Sequence, residues 1–387
     1  MPEVLDRRAL NRALLARQHL LAPAAMTPEQ LVGHLVGLQA QATDPPYYGL
    51  WSRLADFTPE QLGGLLERRA VVRLGLQRGT IHLVTAEDCL TLRPLLQSVL
   101  DQGLRGAYGS RLAGLDLAAL TERGRRLVEE RPRTFQELGA LLGAEYPERD
   151  PAALAQVLRA RLALVQVPPR GLWRSSGAAA HTTAEQWLGR PLAEPADPAD
   201  LAARHERLVL RYLAVFGPAS VADLQKWSGL TRLSAVVRRL RPRLAEFRDE
   251  AGRPLYDLPE APRPDGGTPA PVRLVAPFDN LLLAHADRTR VLSEAYRPLV
   301  MSQNGIVAGT LLVDGFVAGV WQLDRPAAGR PASGAAGETD RATVLVRPFA
   351  PLDRAGRAAA EGEAQRLLAF AEPAAAAAGT RVRFDAP

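Results

Sequence analysis

Among its 387 residues the chain has one cysteine, Cys89, and one lysine, Lys226. A lone thiol excludes an internal disulfide and any zinc site built from several cysteines. A lone lysine leaves a single side-chain amine for covalent chemistry of the Schiff-base kind. The six histidines are scattered and show no His-Glu-x-x-His spacing, so no metal and no cofactor are expected. No run approaches the roughly 20 apolar residues of a membrane span, and the N-terminus lacks the apolar heart of a signal peptide. A soluble, cytoplasmic chain without membrane partners follows as the expectation. Aromatic residues make up only 5%, yet the apolar fraction of 47% is that of a folded protein rather than a disordered one. The length exceeds what one core usually supports, so two to four units are expected.

What the chain does have is positive charge. Arg and Lys number 48 against 42 acids, a net charge of +6 that suits a polyanion partner. The bias to arginine fits a GC-rich genome, since Ala, Gly and Pro are abundant too. Base composition explains the choice of arginine but not the positive sum.

Helix-start signals recur along the chain. Thr27-Pro28-Glu29-Gln30 and Thr58-Pro59-Glu60-Gln61 each supply a capping hydroxyl, a proline at the first helical position and an amide at the third. Helices are expected over 6–19, 28–40, 46–56 and 59–69, then a hairpin of 71–76 and 80–84 turning at Gln77-Arg78-Gly79. Short helices followed by a hairpin form the plan of a winged helix-turn-helix. The plan repeats over 111–190, with helices at 117–130 and 151–163, a capping box at Thr134 to Glu137, and a hairpin of 164–167 with 171–174. It repeats again over 198–258, with helices at 200–216 and from Ser220 to Ser228, a candidate recognition helix over 231–244, and a turn at Glu250-Ala251-Gly252. Past the Pro/Gly-rich stretch at 259–271, strands are expected at 272–283, 305–313, 316–323, 343–347 and 380–384, with one helix at 353–371. Asp314-Gly315 is a tight-turn signal, and 326–339 is low in complexity. The fold class expected is mainly α with β: three tandem winged helix-turn-helix units (1–110, 111–190, 198–258) and a β-rich, barrel-like α+β domain over 272–387.

The stretch Gly37-Leu38-Gln39-Ala40-Gln41-Ala42-Thr43-Asp44-Pro45 stands out. Two amides lie one residue apart where Leu31, Leu35 and Leu38 point to a core. An unpaired buried amide costs a few kcal/mol, about 1–3 by mutational scales, so the pair needs a partner or a task. On a helix the two would diverge; they converge only if the chain leaves the helix between them, and Asp44 before Pro45 marks an exit. A glutamine carbonyl can orient water, and its NH2 group can hold a phosphate or the partner amide. The bland alternative is a pair of amides capping a helix end. Asp44 is either a general base or a turn residue.

This stretch resembles the Gln-apolar-Gln signature of bacterial winged-helix DNA glycosylases of the AlkZ type, whose YcaQ-type relatives carry Gln-apolar-Asp. Three further stretches are similar to landmarks of that family in the same order: Arg78 to Leu83, Pro277 to Leu283 with His285 and Arg288, and Val313 to Trp321. The resemblance implies tandem winged helices with a β-rich C-terminal domain, and removal of N-alkylated purines from DNA, including the unhooking of crosslinks.

Alkylation at N7 of guanine makes the base a cationic leaving group, so little acid catalysis is needed on that side. The tasks left are gripping the nucleotide, stabilising an oxocarbenium-like sugar and aiming one water. The residues expected to act are Gln39 and Gln41, with Asp44 as a possible base. Arg53, Arg78, Thr80, His82, Arg232, Arg238 and Arg239 are the expected contacts to double-stranded DNA carrying alkylated or crosslinked purines. Lys226, beside Trp227, suits a phosphate contact better than lyase chemistry, so a monofunctional, monomeric, nucleoid-associated enzyme is expected. Tyr47 and Tyr48 are core residues or stacking platforms, and Trp51 is core. The rival reading is a winged-helix transcription regulator without catalysis; three winged units in one chain count against it, because regulators gain symmetry by dimerising.

Overall fold

The computed structural model describes residues 2–325, 342–373 and 381–385. The chain opens with β1 (Glu3–Leu5) and α1 (Arg7–Arg17), the helix capped by Asp6, whose carboxylate accepts from the Ala9 amide at 2.7 Å. α2 (Pro28–His34) and α4 (Pro59–Glu67) both start in the expected capping boxes. Leu31 and Leu35 are fully buried, as their spacing requires. The helix expected to reach residue 40 nevertheless stops at His34. Val36 and Gly37 take positive φ values of 54° and 95° and turn the chain into a two-residue strand, β2 (Leu38–Gln39). A Cβ on Gly37 would lie 2.7 Å from a Val84 methyl, so the turn also needs glycine for space.

α3 (Pro45–Trp51), β3 (Val71–Gly75), β4 (Ile81–Thr85), α5 (Ala86–Leu95) and α6 (Gln97–Tyr108) complete the first stretch. Then follow α7 (Leu117–Glu130), β5 (Arg133–Thr134), α8 (Phe135–Glu145), α9 (Pro151–Arg161), β6 (Leu164–Gln166), β7 (Ala180–Thr183) and α10 (Ala184–Leu188). The hairpin expected between 164–167 and 171–174 is not formed. β6 pairs instead with β7 on one side and β3 on the other. The result is one six-stranded sheet in the order β2-β4-β3-β6-β7-β5, shared by residues 1–110 and 111–190.

The third stretch holds α11 (Pro198–Phe216), α12 (Val221–Ser228), α13 (Ser234–Leu240), β8 (Ala245–Asp249) and β9 (Pro254–Asp257). α13 is shorter than the expected 231–244. β8 and β9 form the expected hairpin, but β1 joins it in parallel, placing Glu3 opposite Phe247. Three buried arginines lace α1 and α3 to later parts of the chain. Arg17 makes a two-pronged ion pair with Asp257 at 2.7 Å, Arg53 does the same with Asp279, and Arg12 reaches Asp314.

The C-terminal part contains β10 (Arg273–Val275), α14 (Asn280–Leu283), α15 (Arg297–Val300), β11 (Gly309–Val313), β12 (Phe316–Asp324), β13 (Thr343–Pro348), α16 (Arg354–Ala371) and β14 (Arg381–Phe384). The strand expected over 272–283 covers only its first part, because Asp279 caps a helical turn through the Leu281 amide. The sheet runs β10-β11-β12-β13-β14 and stays open, with β10 and β14 as its edges, so the expected barrel is not closed. Asp314 and Gly315 make the tight turn, both at positive φ. The low-complexity stretch at 326–339 lies outside the described residues. No described helix is long and apolar enough to cross a membrane.

Candidate active site

Gln39 and Gln41 lie on and just after β2, the edge strand of the six-stranded sheet. They are not at a helix end. Gln39 is extended and Gln41 lies in the bend that follows, and both amides reach the β3–β4 hairpin. Gln39 stands directly opposite His82 on β4, and the Ala40 amide donates to the Ile81 carbonyl at 2.7 Å.

Both carbonyls are occupied. The Arg78 guanidinium donates to Gln39 Oε1 at 2.8 Å, and the Ile81 backbone N–H donates to Gln41 Oε1 at 3.2 Å. The expected water-aiming carbonyl therefore faces the protein. Gln39 is nearly buried and Gln41 is exposed. Neither Nε2 has a partner among the described residues.

Beneath this strand lies Arg73, which sequence reasoning missed although an arginine inside an apolar strand was a visible anomaly. It is 2% exposed and donates to the Ala40 carbonyl at 2.9 Å and to Gln166 Oε1 at 3.1 Å. Burial pushes its guanidinium down to about 10, with the Arg170 charge adding to the effect. Arg78 is likewise pushed down to about 10, by burial and then by Arg288. Neither has a carboxylate partner among the described residues. The strand bearing the glutamines thus rests on two guanidinium groups, Arg73 on the Ala40 carbonyl and Arg78 on Gln39.

The remaining expected contacts divide sharply. Arg78 sits half-buried at the hairpin tip: its Nη1 donates to the Trp227 carbonyl of α12, and a Cβ at Gly229 would lie 3.3 Å from its backbone nitrogen. Two of its nitrogens are thus engaged within the protein, one by Trp227 and one by Gln39. Thr80 donates to the Gln77 carbonyl at 3.1 Å and is half-buried. His82 is 2% exposed, with Nδ1 3.0 Å from the Thr80 carbonyl, an acceptor that requires the proton on Nδ1. Burial, then the Arg78 charge, pushes its pKa down to about 3, so the ring is neutral and enclosed rather than a DNA contact. Arg53 is wholly buried and spends its donors on Asp279, Gln18, Ser52 and the Gly49 carbonyl, which corrects its expected role on DNA.

Arg232, Arg238 and Arg239 are all exposed, on α13 and the turn before it, and Lys226 is exposed on α12. Arg239 pairs with Glu206 at 2.8 Å; Arg232 and Arg238 have no protein partner among the described residues. Asp44 is held by Arg325, at 3.3 Å, and by the Thr43 hydroxyl. Arg325 also donates to the Tyr48 hydroxyl at 2.9 Å and to Glu372. Burial opposes its charge, but Tyr48, Glu372 and Asp44 together hold its pKa above the usual value. Tyr47, Tyr48 and Trp51 are buried against Trp173 and Phe370, so stacking on a base is excluded for both tyrosines.

The later landmarks are fastenings. Asn280 donates to the Gly37 carbonyl at 2.7 Å, pinning the turn that precedes Gln39. His285 contacts the Phe216 carbonyl at 3.0 Å, Arg288 donates to that of Leu282, and Trp321 to that of Val275. Gly315 accepts from Asn11, and a Cβ there would collide with the same Asn11 side chain.

Comparison with known proteins agrees with the landmarks. A Streptomyces sahachiroi protein named interstrand DNA cross-link repair glycosylase is 26% identical over 330 residues, covering 80% of this chain and 85% of its own. The solved structure of Streptomyces sahachiroi DNA glycosylase AlkZ superposes with a TM-score of 0.77 at 21% identity, covering 99% of this chain and 100% of the other. The family described as DNA glycosylase AlkZ-like matches residues 32–370. Since that match takes in the glutamine strand, the β3–β4 hairpin and the C-terminal sheet, the chain belongs to the AlkZ-like DNA glycosylase family.

Proposed function

We propose that this chain is a monofunctional DNA glycosylase that hydrolyses the N-glycosidic bond of N7-alkylated purines, bulky adducts and interstrand crosslinks included, in repair or in resistance to a genotoxin. The observation that carries the proposal is the Gln39–Gln41 pair, fixed on an edge strand over Arg73 and Arg78. Water replaces the purine: a C1′–O bond forms as the C1′–N9 bond breaks, its electron pair neutralises the positive charge of the departing base, and the water's proton passes to solvent. Such a base departs without a strong acid, so polar amides that grip and orient suffice.

The fold is read as three winged-helix units over 1–110, 111–190 and 198–258 with a β-rich domain over 272–387, acting as a monomer associated with the nucleoid. Arg232, Arg238 and Lys226 would meet DNA phosphates, and Asp44 would order the loop after the glutamines rather than serve as the base. Family membership favours this reading over a regulator without catalysis.

The test is release of 7-methylguanine from methylated duplex DNA. Gln39→Ala and Gln41→Ala should each lower the single-turnover rate by about 10²–10³-fold, the usual loss for one preorganised polar group, with DNA affinity kept. Full activity in the double variant refutes the assignment of the site.

A further inference from the structure

The partners of the two glutamines decide which end of each amide faces outward. Amide oxygen and nitrogen are easily interchanged by a 180° rotation, so orientation has to be argued from the neighbours. A guanidinium and a backbone N–H can only donate. Arg78 at 2.8 Å from one amide and the Ile81 N–H at 3.2 Å from the other both demand an oxygen. The NH2 groups are thereby turned away from the sheet.

Arg78 is itself over-determined. It sits at φ 55°, where a non-glycine residue is strained. Its second donor is fixed by the Trp227 carbonyl, and Gly229 presses on its backbone. An arginine held at both ends of its guanidinium cannot swing out to a phosphate, but it can hold one neighbour in one orientation.

We propose that Arg78 is a positioning residue which locks Gln39 with its carbonyl inward, so that the motif meets the nucleotide with amide N–H donors rather than with carbonyl acceptors. Donors suit hydrogen-bond acceptor atoms of the substrate, on which electron density grows as the purine leaves or stands permanently as at a phosphate. This rests on the glycosylase reading above and specifies how its glutamines work.

The experiment compares Gln39→Glu, Gln39→Ala, Arg78→Met and the Arg78→Met/Gln39→Ala double variant of the full chain. Base release is followed under single turnover at saturating methylated DNA, with a melting curve for each protein. Gln39→Glu keeps the acceptor for Arg78 and replaces only the NH2 group. A donor role predicts a loss of about 10²–10³-fold near neutral pH. It also predicts partial recovery as pH falls, because a protonated carboxyl donates again. An acceptor or base role predicts retained activity and a rate that rises with pH, and either result overturns the proposal. If Arg78 acts through Gln39, Arg78→Met slows the wild type and leaves the residual rate of Gln39→Ala unchanged. An equal loss in both backgrounds assigns Arg78 a merely structural role and overturns its part. Should Arg78→Met fail to fold, Arg78→Lys keeps a single donor and should slow the wild type while leaving the residual rate of Gln39→Ala unchanged; an equal loss in both backgrounds again overturns its part. A wild type that releases no base fails the glycosylase reading itself, which is a separate outcome.

Discussion

Replacing Asp279 by asparagine should destabilise the protein by about 3 kcal/mol while leaving its grip on DNA unchanged. Asp279 receives two bonds from Arg53, at 2.9 and 2.7 Å, and caps α14 through the Leu281 amide at 2.9 Å. Asparagine keeps an oxygen for the cap and for one arm of the arginine, so the change isolates the charge. Arg53 would then be a wholly buried cation whose remaining acceptors, on Gln18, Ser52 and Gly49, are all neutral. Removing one partner of a buried pair costs about 3–5 kcal/mol, and the retained oxygen points to the lower end. Unfolding entropy is about 2.1 cal/mol/K per residue, or about 0.8 kcal/mol/K for this length if the chain melts as one unit. The melting midpoint should therefore drop by about 4 °C. Differential scanning calorimetry measures it, with fluorescence anisotropy on a DNA duplex at several salt concentrations alongside. The salt slope should not change, because Arg53 meets no phosphate. A midpoint within 1 °C of wild type, or a slope lowered by about one unit in Arg53→Met, refutes the reasoning.

Acid should weaken the fold through its buried histidines. Folded His82 and His285 are held near 3 by burial against an ordinary 6.5, so the unfolded chain binds protons first. Stability is complete above pH 6.5 and is lost as pH falls toward 3, by up to about 1.4 kcal/mol per unit for each histidine. His82→Phe should remove one proton's share of that slope in denaturant titrations between pH 6.5 and 4; an unchanged slope counts against it. Gly315→Ala, forced to φ 81° against Asn11, should cost about 1–3 kcal/mol, read as a lower melting midpoint. Arg232→Ala and Arg238→Ala should each weaken DNA binding and reduce the salt slope by about one, with the rate at saturating DNA retained. Borohydride should trap no covalent complex with DNA, and Lys226→Ala should release base normally; trapping through Lys226 would replace hydrolysis by lyase chemistry.

Local features were legible because local physics makes them. The capping boxes at Thr27, Thr58, Thr134 and Ser220 all start helices, and Asp314-Gly315 makes the turn that positive φ demands. The end of α2 was misread because Leu31, Leu35 and Leu38 keep helical spacing past the break at Val36 and Gly37. What stayed hidden is long-range pairing. Nothing in the alternation of 164–167 states that its neighbours are β3 and β7 rather than the residues just past Pro169. Arginine hides its destination most thoroughly: Arg53 and Arg78 look like surface cations in a basic chain, yet both donate to partners within the protein. The glutamines were legible as an anomaly, whereas the direction of their amides depends on Arg78, 39 residues further along the chain.

The parallel pairing of β1 with β8 sets a schedule for the nascent chain. Glu3 and Phe247 are neighbours in space but are made some 240 residues apart. At roughly 5–20 residues per second, the first strand leaves the ribosome about 12–50 s before its partner exists. On the helix that follows, Arg17 waits about as long for Asp257, and Arg12 longer still for Asp314. The opening segment is therefore made early and finished late. Until then it is an unpaired strand beside a helix that carries four arginines.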